Sequence, residues 1–275
     1  LNNIGTVTVT VSYTEGGVTK TASTTVTVSV KIVTWSGGTD AQITAMIQAA
    51  DAGQINLTDY WTVGDERTVQ LSAMAATGVG ESHAAQAVTL VLMDSTCTGF
   101  TLASATSGGK TKPSFIVGLK NCLAEAGYMN SASINTNGWS GCARRTWCND
   151  VFRAAIPSTL RGIFKQFKWK QGKGDESLSG LRETTDYFGL PPEKAIFGSV
   201  SYAQTDEAAL YAQWKWYQTA SNRIKKLGDT GSSSFWWECS PFSGDSYFFC
   251  LVYSDGSANY YSADGTSGLA PFGCI

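Results

Sequence analysis

The sequence predicts an α+β protein, and three observations carry that reading. Segments 6–13 and 18–30 alternate apolar and polar residues with the period of a strand, and 88–93 and 115–119 are short apolar runs of strand length. The stretch after Asp40 instead places Ile43, Met46, Ile47 and Ala50 at helical spacing. The two kinds of segment are mixed without the regular strand-helix-strand alternation that a parallel sheet requires. A chain of 275 residues is long enough to bury a large core.

Residues 6 to 13 and 18 to 30 flank Glu15-Gly16-Gly17, a hairpin turn, and form a two-stranded ribbon. A lone hairpin is marginal in water, so the ribbon is expected to pair with something else. Its Thr-Val alternation resembles the last two strands of a bacterial immunoglobulin-like domain. Residues 1–34 are therefore expected to be the end of such a domain, in a chain that starts inside a longer protein; the alternative is that the strands extend the main sheet. Residues 35–275 form the second expected domain. After the linker Trp35-Ser36-Gly37-Gly38, Thr39 or Asp40 can cap the helix and Gly53 can end it. A second helix is expected over Arg144 to Phe152, and a third opens at Pro157 with Leu160, Ile163, Phe164 and Phe167. Gly172 to Gly180 reads as a loop, and Glu207 to Thr219 as a further helix with Leu210, Trp214 and Tyr217 on one face.

Composition narrows the function. The formal net charge is -2 and no basic stripe is present in the sequence, so nucleic acid is not an expected partner. No apolar run approaches the ~18 residues that cross a bilayer, so membrane insertion is not expected either. No basic and then apolar segment opens the chain, so no signal peptide is visible. His83 is the only histidine and no CxxC pair occurs, which leaves neither a zinc site nor a histidine triad; no metal or cofactor is expected. His83 reads as a loop residue, and Arg144, Arg145 and Arg153 as solvated or carboxylate-paired. Among the seven cysteines, an odd count, Cys142 and Cys148 could bridge or merely pack one helix.

The last 45 residues differ from the rest: 11 are aromatic against 21 of the preceding 230, none is Lys or Arg, and ten are serine. Tyr, Ser, Gly and Asn together are the chemistry of an antibody combining loop, in which stiff rings supply contact area and small polar residues adaptable hydrogen bonds. Trp236, Trp237, Phe249 and Phe272 read instead as core. Asp245-Ser246-Tyr247 and Asn259-Tyr260-Tyr261 set rings beside polar residues in turn-rich sequence, which suits a surface.

The run WWECSPFSGDSYFFCLVYSDGSANYYSADGTSGLAPFGCI resembles the C-terminal variable region of proteins diversified by diversity-generating retroelements, in particular those of gut bacteria and their phages. The resemblance extends through NGWSGCARRTWCNDVFRAAIPSTLRGIFKQF and TDAQITAMIQAADAGQINLTDYWTVGDERTVQLSAM, so it covers roughly residues 38 to 275. It implies a C-type lectin fold for 35–275, a variable region at about 239–267 rewritten by adenine mutagenesis, and a binding protein displayed on a phage virion or bacterial surface. Asparagine codons ending in a pyrimidine cannot become Lys, Glu, Gln, Met or Trp by that route. Those five types fill 45 of the 275 positions, yet residues 239–267 contain none. The same rule makes Trp236, Trp237 and Glu238 fixed scaffold.

The resemblance places the ligand surface on Asp245, Tyr247, Phe248, Leu251, Tyr253, Asp255, Asn259, Tyr260, Tyr261, Asp264, Thr266 and Ser267, with Val252, Ala258 and Ala263 facing inward. The expected partner is an unidentified protein or cell-surface ligand, neutral or basic, and Tyr247, Tyr260 and Tyr261 are expected on one face with Asp245, Asp255 and Asp264 around them. Two alternatives accompany this reading. A related branch of the fold oxidises cysteine to formylglycine with copper, for which Cys239, Cys250 and Cys274 are the candidates; they read as structural thiols. Calcium-dependent sugar binding lacks its Glu-Pro-Asn or Gln-Pro-Asp triplet, and Trp147-Cys148-Asn149-Asp150 interposes a cysteine in the Trp-Asn-Asp strand, which leaves a calcium-independent structural domain as the other possibility.

Overall fold

β1 (Gly5–Glu15) and β2 (Val18–Val28) pair antiparallel from end to end around Gly16-Gly17. Both turn glycines hold positive φ, 55° and 82°, as a two-residue turn that follows the strand twist requires. Thr10 bonds Ser23 and Thr14 bonds Thr19 across the ribbon, each at 2.8 Å. The ribbon is a sheet of its own and its side chains lie in solvent; Val11 is 67% exposed. The computed structural model describes residues 5–175 and 180–275, so positions 176–179 of the expected 172–180 loop lie outside the described residues.

Thr39 caps α1 (Asp40–Asp51) through a reciprocal box: its hydroxyl accepts from the Gln42 amide at 3.3 Å, and the Gln42 side chain accepts from the Thr39 amide at 3.0 Å. Ile43, Met46, Ile47 and Ala50 form its buried stripe, and Gly53 follows with φ 74°. β3 (Glu66–Leu71), β4 (Gln86–Asp94), β5 (Thr101–Leu102) and β6 (Ile116–Leu119) come next, β4 and β6 where the apolar runs predict them.

The helix expected at 144–152 runs Ala143–Trp147, widens into a π-turn over Cys148–Phe152 and ends with Arg153–Ala155. Beyond Pro157 only Ser158–Arg161 are helical. Leu160, Ile163, Phe164 and Phe167 are all buried, but Phe167 opens β7 (Phe167–Gly172), which pairs with β5 and with β8 (Leu181–Asp186). β9 (Phe188–Gly189) precedes a short helix, Glu193–Phe197. The expected helix at 207–219 is absent; its place is taken by 3-10 turns at Thr205–Ala209 and Lys215–Gln218. Burial overrides the helical period there. Glu207 turns inward to accept from the Gly172 amide at 2.7 Å and the Ser240 hydroxyl at 2.6 Å, and Trp214 stacks on Tyr217 within the core at 5.9 Å.

β10 (Lys225–Lys226) and β11 (Ser233–Ser234) form a small ladder. β12 (Trp236–Pro241), β13 (Phe248–Val252) and β14 (Ala258–Ser262) form a three-stranded antiparallel sheet. β15 (Phe272–Cys274) then returns to the largest sheet between β6 and the edge strand β9, the order being β3-β4-β6-β15-β9. Phe272 is the hub of the core: Trp214 at 4.9 Å, Trp169 at 5.4 Å, Phe167 at 5.5 Å and Phe100 at 5.6 Å surround its ring. The protein is thus α+β and rich in antiparallel sheet.

All seven cysteines are buried free thiols, Cys142 and Cys148 included. His83 is buried, not an open loop residue: it bridges Met74 and lies 5.5 Å from the Trp147 ring. Arg144, wholly buried, pairs with Glu81 at 2.5 Å and Arg145 with Asp186 at 2.7 Å, whereas Arg153 stacks on Tyr187 with its guanidinium carbon 3.6 Å from the ring centre.

Candidate functional site

β12 is buried along its whole length and supports the C-terminal sheet from inside. Trp237 faces Leu251 in the register and donates its indole N–H to the Gly127 carbonyl at 2.7 Å, while Trp236 donates to Arg223 O at 2.8 Å. Glu238 is fully buried with both carboxylate oxygens unpartnered; burial, then the nearby Glu193 and Glu207, raise its pKa well above the usual carboxylate range. Burial likewise raises Glu207 to about 7, against the hydrogen bonds from Ser240 and Gly172. Ser240 joins these acids, because its hydroxyl also accepts from the Glu193 amide at 3.1 Å. Glu193 in turn accepts from the amides of Ser201, Tyr202 and Ala203 at 2.7–3.1 Å.

Above this support, the backbone of 242–248 converges on one buried amide. Asn135 Nδ2 donates to the carbonyls of Asp245 at 2.7 Å, Phe248 at 2.8 Å and Phe242 at 3.3 Å, and the Asn135 N–H donates to Ser246 O at 2.7 Å. The next turn is held similarly: Met129 and Asn130 amides donate to Ala263 O, and Ser267 and Gly127 exchange both backbone bonds at 3.0 Å. Segment 127–135 thus grips the backbone of 242–248 and 263–267 and leaves Tyr247, Asp264 and Thr266 exposed. Nothing in the sequence marks Asn135 for this role beyond its place in a polar turn.

The expected surface residues divide. Tyr247 and Tyr261 are 50% exposed, and Tyr253, Asp255, Asp264 and Thr266 are also exposed. Asp245, Phe248, Asn259 and Tyr260 are half-buried. Leu251 and Ser267 are buried and cannot meet a ligand. Leu251 occupies the inner register of β13 between Trp237 and Asn259, and Ser267 is locked in the bridge to Gly127. Val252 and Ala263 face inward as expected, whereas Ala258 is half-buried.

The three tyrosines do not share one face. Tyr260 and Tyr261 are adjacent in β14, and successive strand residues point to opposite sides. Tyr260 stacks on Phe242 with ring centres 4.0 Å apart and planes 10° apart, and meets Tyr202 edge-on at 5.1 Å and Phe248 at 5.5 Å. Tyr261 lies on the other side, 6.2 Å from Trp237, over Gly265, where a Cβ would strike the ring. The acids also separate. Asp245 and Asp264 flank the Phe248–Ser262 end of the hairpin, whereas Asp255 sits in the turn beyond Val252–Ala258, four residues or ~13 Å away along the strand. Each shapes its own turn: Asp245 accepts from Tyr247 N at 2.7 Å, Asp264 from the Ser262 hydroxyl at 2.5 Å, and Asp255 from the Ser257 hydroxyl and amide, which lower its pKa. At that far end Phe235 and Tyr253 stack at 4.6 Å, both exposed.

The surface therefore presents an aromatic cluster of Tyr202, Phe242, Phe248 and Tyr260 with Tyr247 at its margin, and a second pair, Phe235 and Tyr253, at the opposite end. Tyr202, outside the C-terminal segment, is a member that composition alone does not mark. Among the described residues, no group of three or more His, Cys, Asp or Glu is arranged to hold a metal ion. Burial pushes the Cys239, Cys250 and Cys274 thiols well above their ordinary range.

No curated protein and no solved structure matches the chain. One family does: residues 115–275, more than half of the chain and all of the C-terminal surface just described, match the family described as a domain of unknown function, DUF6273. The chain belongs to that family.

Proposed function

We propose that the protein is a ligand-display domain whose C-terminal surface is diversified by adenine mutagenesis, on a C-type lectin-like fold preceded by the closing strands of an immunoglobulin-like domain. One observation carries the reading: Asn135 fixes the backbone of 242–248, the amides of 127–130 fix that of 263–267, and β12 backs β13 between them, while Tyr247, Tyr253, Tyr261, Asp255, Asp264 and Thr266 project outward. That separation lets side chains change without moving the frame that holds them, which is the property a combining surface needs. The rings supply contact area at low entropic cost. The flanking carboxylates and the absence of Lys and Arg from residues 231–275 favour a neutral or basic protein or cell-surface ligand, bound more weakly as salt is raised. Phage virion or bacterial surface display accords with this role.

The test is the gene in many isolates. Differences should concentrate at the outward positions of 239–267 and spare Leu251, Ser267, Trp236, Trp237 and Glu238. Differences spread evenly over residues 38–275 would remove the reading.

A further inference from the structure

A second surface, built from segments far apart in the sequence, has the opposite charge. Lys168 and Lys170 alternate outward along β7. The Leu102 amide donates to Thr111 O at 2.8 Å, which brings Lys112 beside β5, and β5 aligns Thr101 with Lys168. Lys112, Lys168 and Lys170 consequently line one cavity of about 370 Å³ with Thr101. Lys112 also borders a neighbouring cavity of about 560 Å³, where Lys110, Asn56, Thr58, Thr96 and Thr111 supply further polar groups. Among the described residues, none of these four ammonium groups forms an ion pair. Among the described residues, Glu183, aligned with Lys170, is the sole carboxylate that lines either cavity.

We propose that this double cavity binds a linear glycan bearing phosphate or sulfate esters. Three lysines around one cavity suit a single oxyanion group, and the Thr58 and Thr111 hydroxyls of the adjoining cavity suit the uncharged oxygens of the next unit, the Asn56 amide and Thr96 hydroxyl being turned to Asp59 and Asp94. Single-stranded nucleic acid is the less fitting polyanion: its binders add ring platforms for the bases, and the rings here, Phe100 and Trp169, are 2% and 1% exposed. The inference goes beyond the display reading and does not depend on it, since the cavities lie outside residues 231–275.

Calorimetric titration at low salt, with a sulfated oligosaccharide and separately with a glycerol-phosphate polymer, tests the site and identifies which ester it takes. One of them should bind, and K112Q/K168Q/K170Q should weaken that binding about tenfold or more, because an exposed charge pair contributes up to roughly fivefold and three are lost together. The same charge change at exposed positions elsewhere, K20Q/K31Q/K226Q, should leave binding within about twofold, and both variants should melt as the parent does. No binding of either polymer, equal losses in the two variants, or tighter binding of a thymidine oligonucleotide than of both polymers would overturn the proposal.

Discussion

Asn135 and Phe248 are 113 positions apart in the chain, and a 2.8 Å hydrogen bond from the side-chain amide of one to the carbonyl of the other ties the aromatic cluster to the scaffold. The same nitrogen serves the Asp245 carbonyl at 2.7 Å, and the Asn135 amide oxygen accepts from Asp175 N at 2.9 Å, so the side chain spends its donors on 242–248 and its acceptor on a second, distant stretch of backbone. Asn135→Ala should cost about 1–3 kcal/mol, the penalty for leaving buried carbonyls without a donor. Hydrogen exchange should rise first at 242–248. An unchanged exchange pattern there would show that Asn135 does not hold the loop.

Replacement of Tyr247, Tyr253, Asp255, Tyr261, Asp264 and Thr266 by Ser or Ala should change stability by no more than ~0.5 kcal/mol each. Trp237→Ala should cost ~3–5 kcal/mol, because that ring is wholly buried and its N–H is bonded to Gly127. Denaturant titration of the two variants distinguishes frame from display; a reversed order would refute the division.

The buried acids under β12 give stability a pH dependence. Glu207 has its pKa raised from 4.5 to about 7 in the fold, and Glu238 is raised well above 4.5. An acid with a raised folded pKa stabilises fully below its unfolded value and loses that contribution as pH rises through the folded one. Stability should therefore fall between pH 5 and 7.5, by on the order of 3 kcal/mol from Glu207 once its ionisation is complete. Lys225, fully buried and lowered by that burial to about 8, acts in the opposite sense only above that window. Melting temperatures should drop from pH 5 to 7.5 in the parent and stay flatter in E207Q/E238Q. A parent that melts higher at pH 7.5 would contradict the assignment.

Removal of residues 1–30 should leave the cooperative melt of the rest in place, since β1 and β2 pair only with each other. Loss of that transition in calorimetry would show that the ribbon completes the main fold.

Local chemistry made much of this legible in the sequence. Thr39 and Gly53 announce α1 with its two ends, and Gly16-Gly17 announces the ribbon. Residues 207–219 carry a helical period that the chain does not use, because Glu207 answers to Gly172 and Ser240, partners 35 and 33 residues distant. For the C-terminal segment, composition marks a run rich in rings and small polar residues but does not resolve which side of the sheet each residue takes. Assigning Tyr260 and Tyr261 to a single face overlooked the strand's period of two, and Leu251 is withdrawn into the core by a register that depends on Trp237. Asn135, Tyr202 and the lysine surface arise from pairing across long separations, which no local pattern records.

The position of β15 has a genetic consequence. The strand that fills the gap between β6 and β9 is encoded downstream of every outward position in 239–267. A stop codon or a shift of reading frame anywhere in 239–267 removes Phe272 along with its four aromatic neighbours' common contact, and the largest sheet is left split. Only sequences translated in frame through 239–267 complete the sheet, so its closure acts as a check on the coding sequence that precedes it.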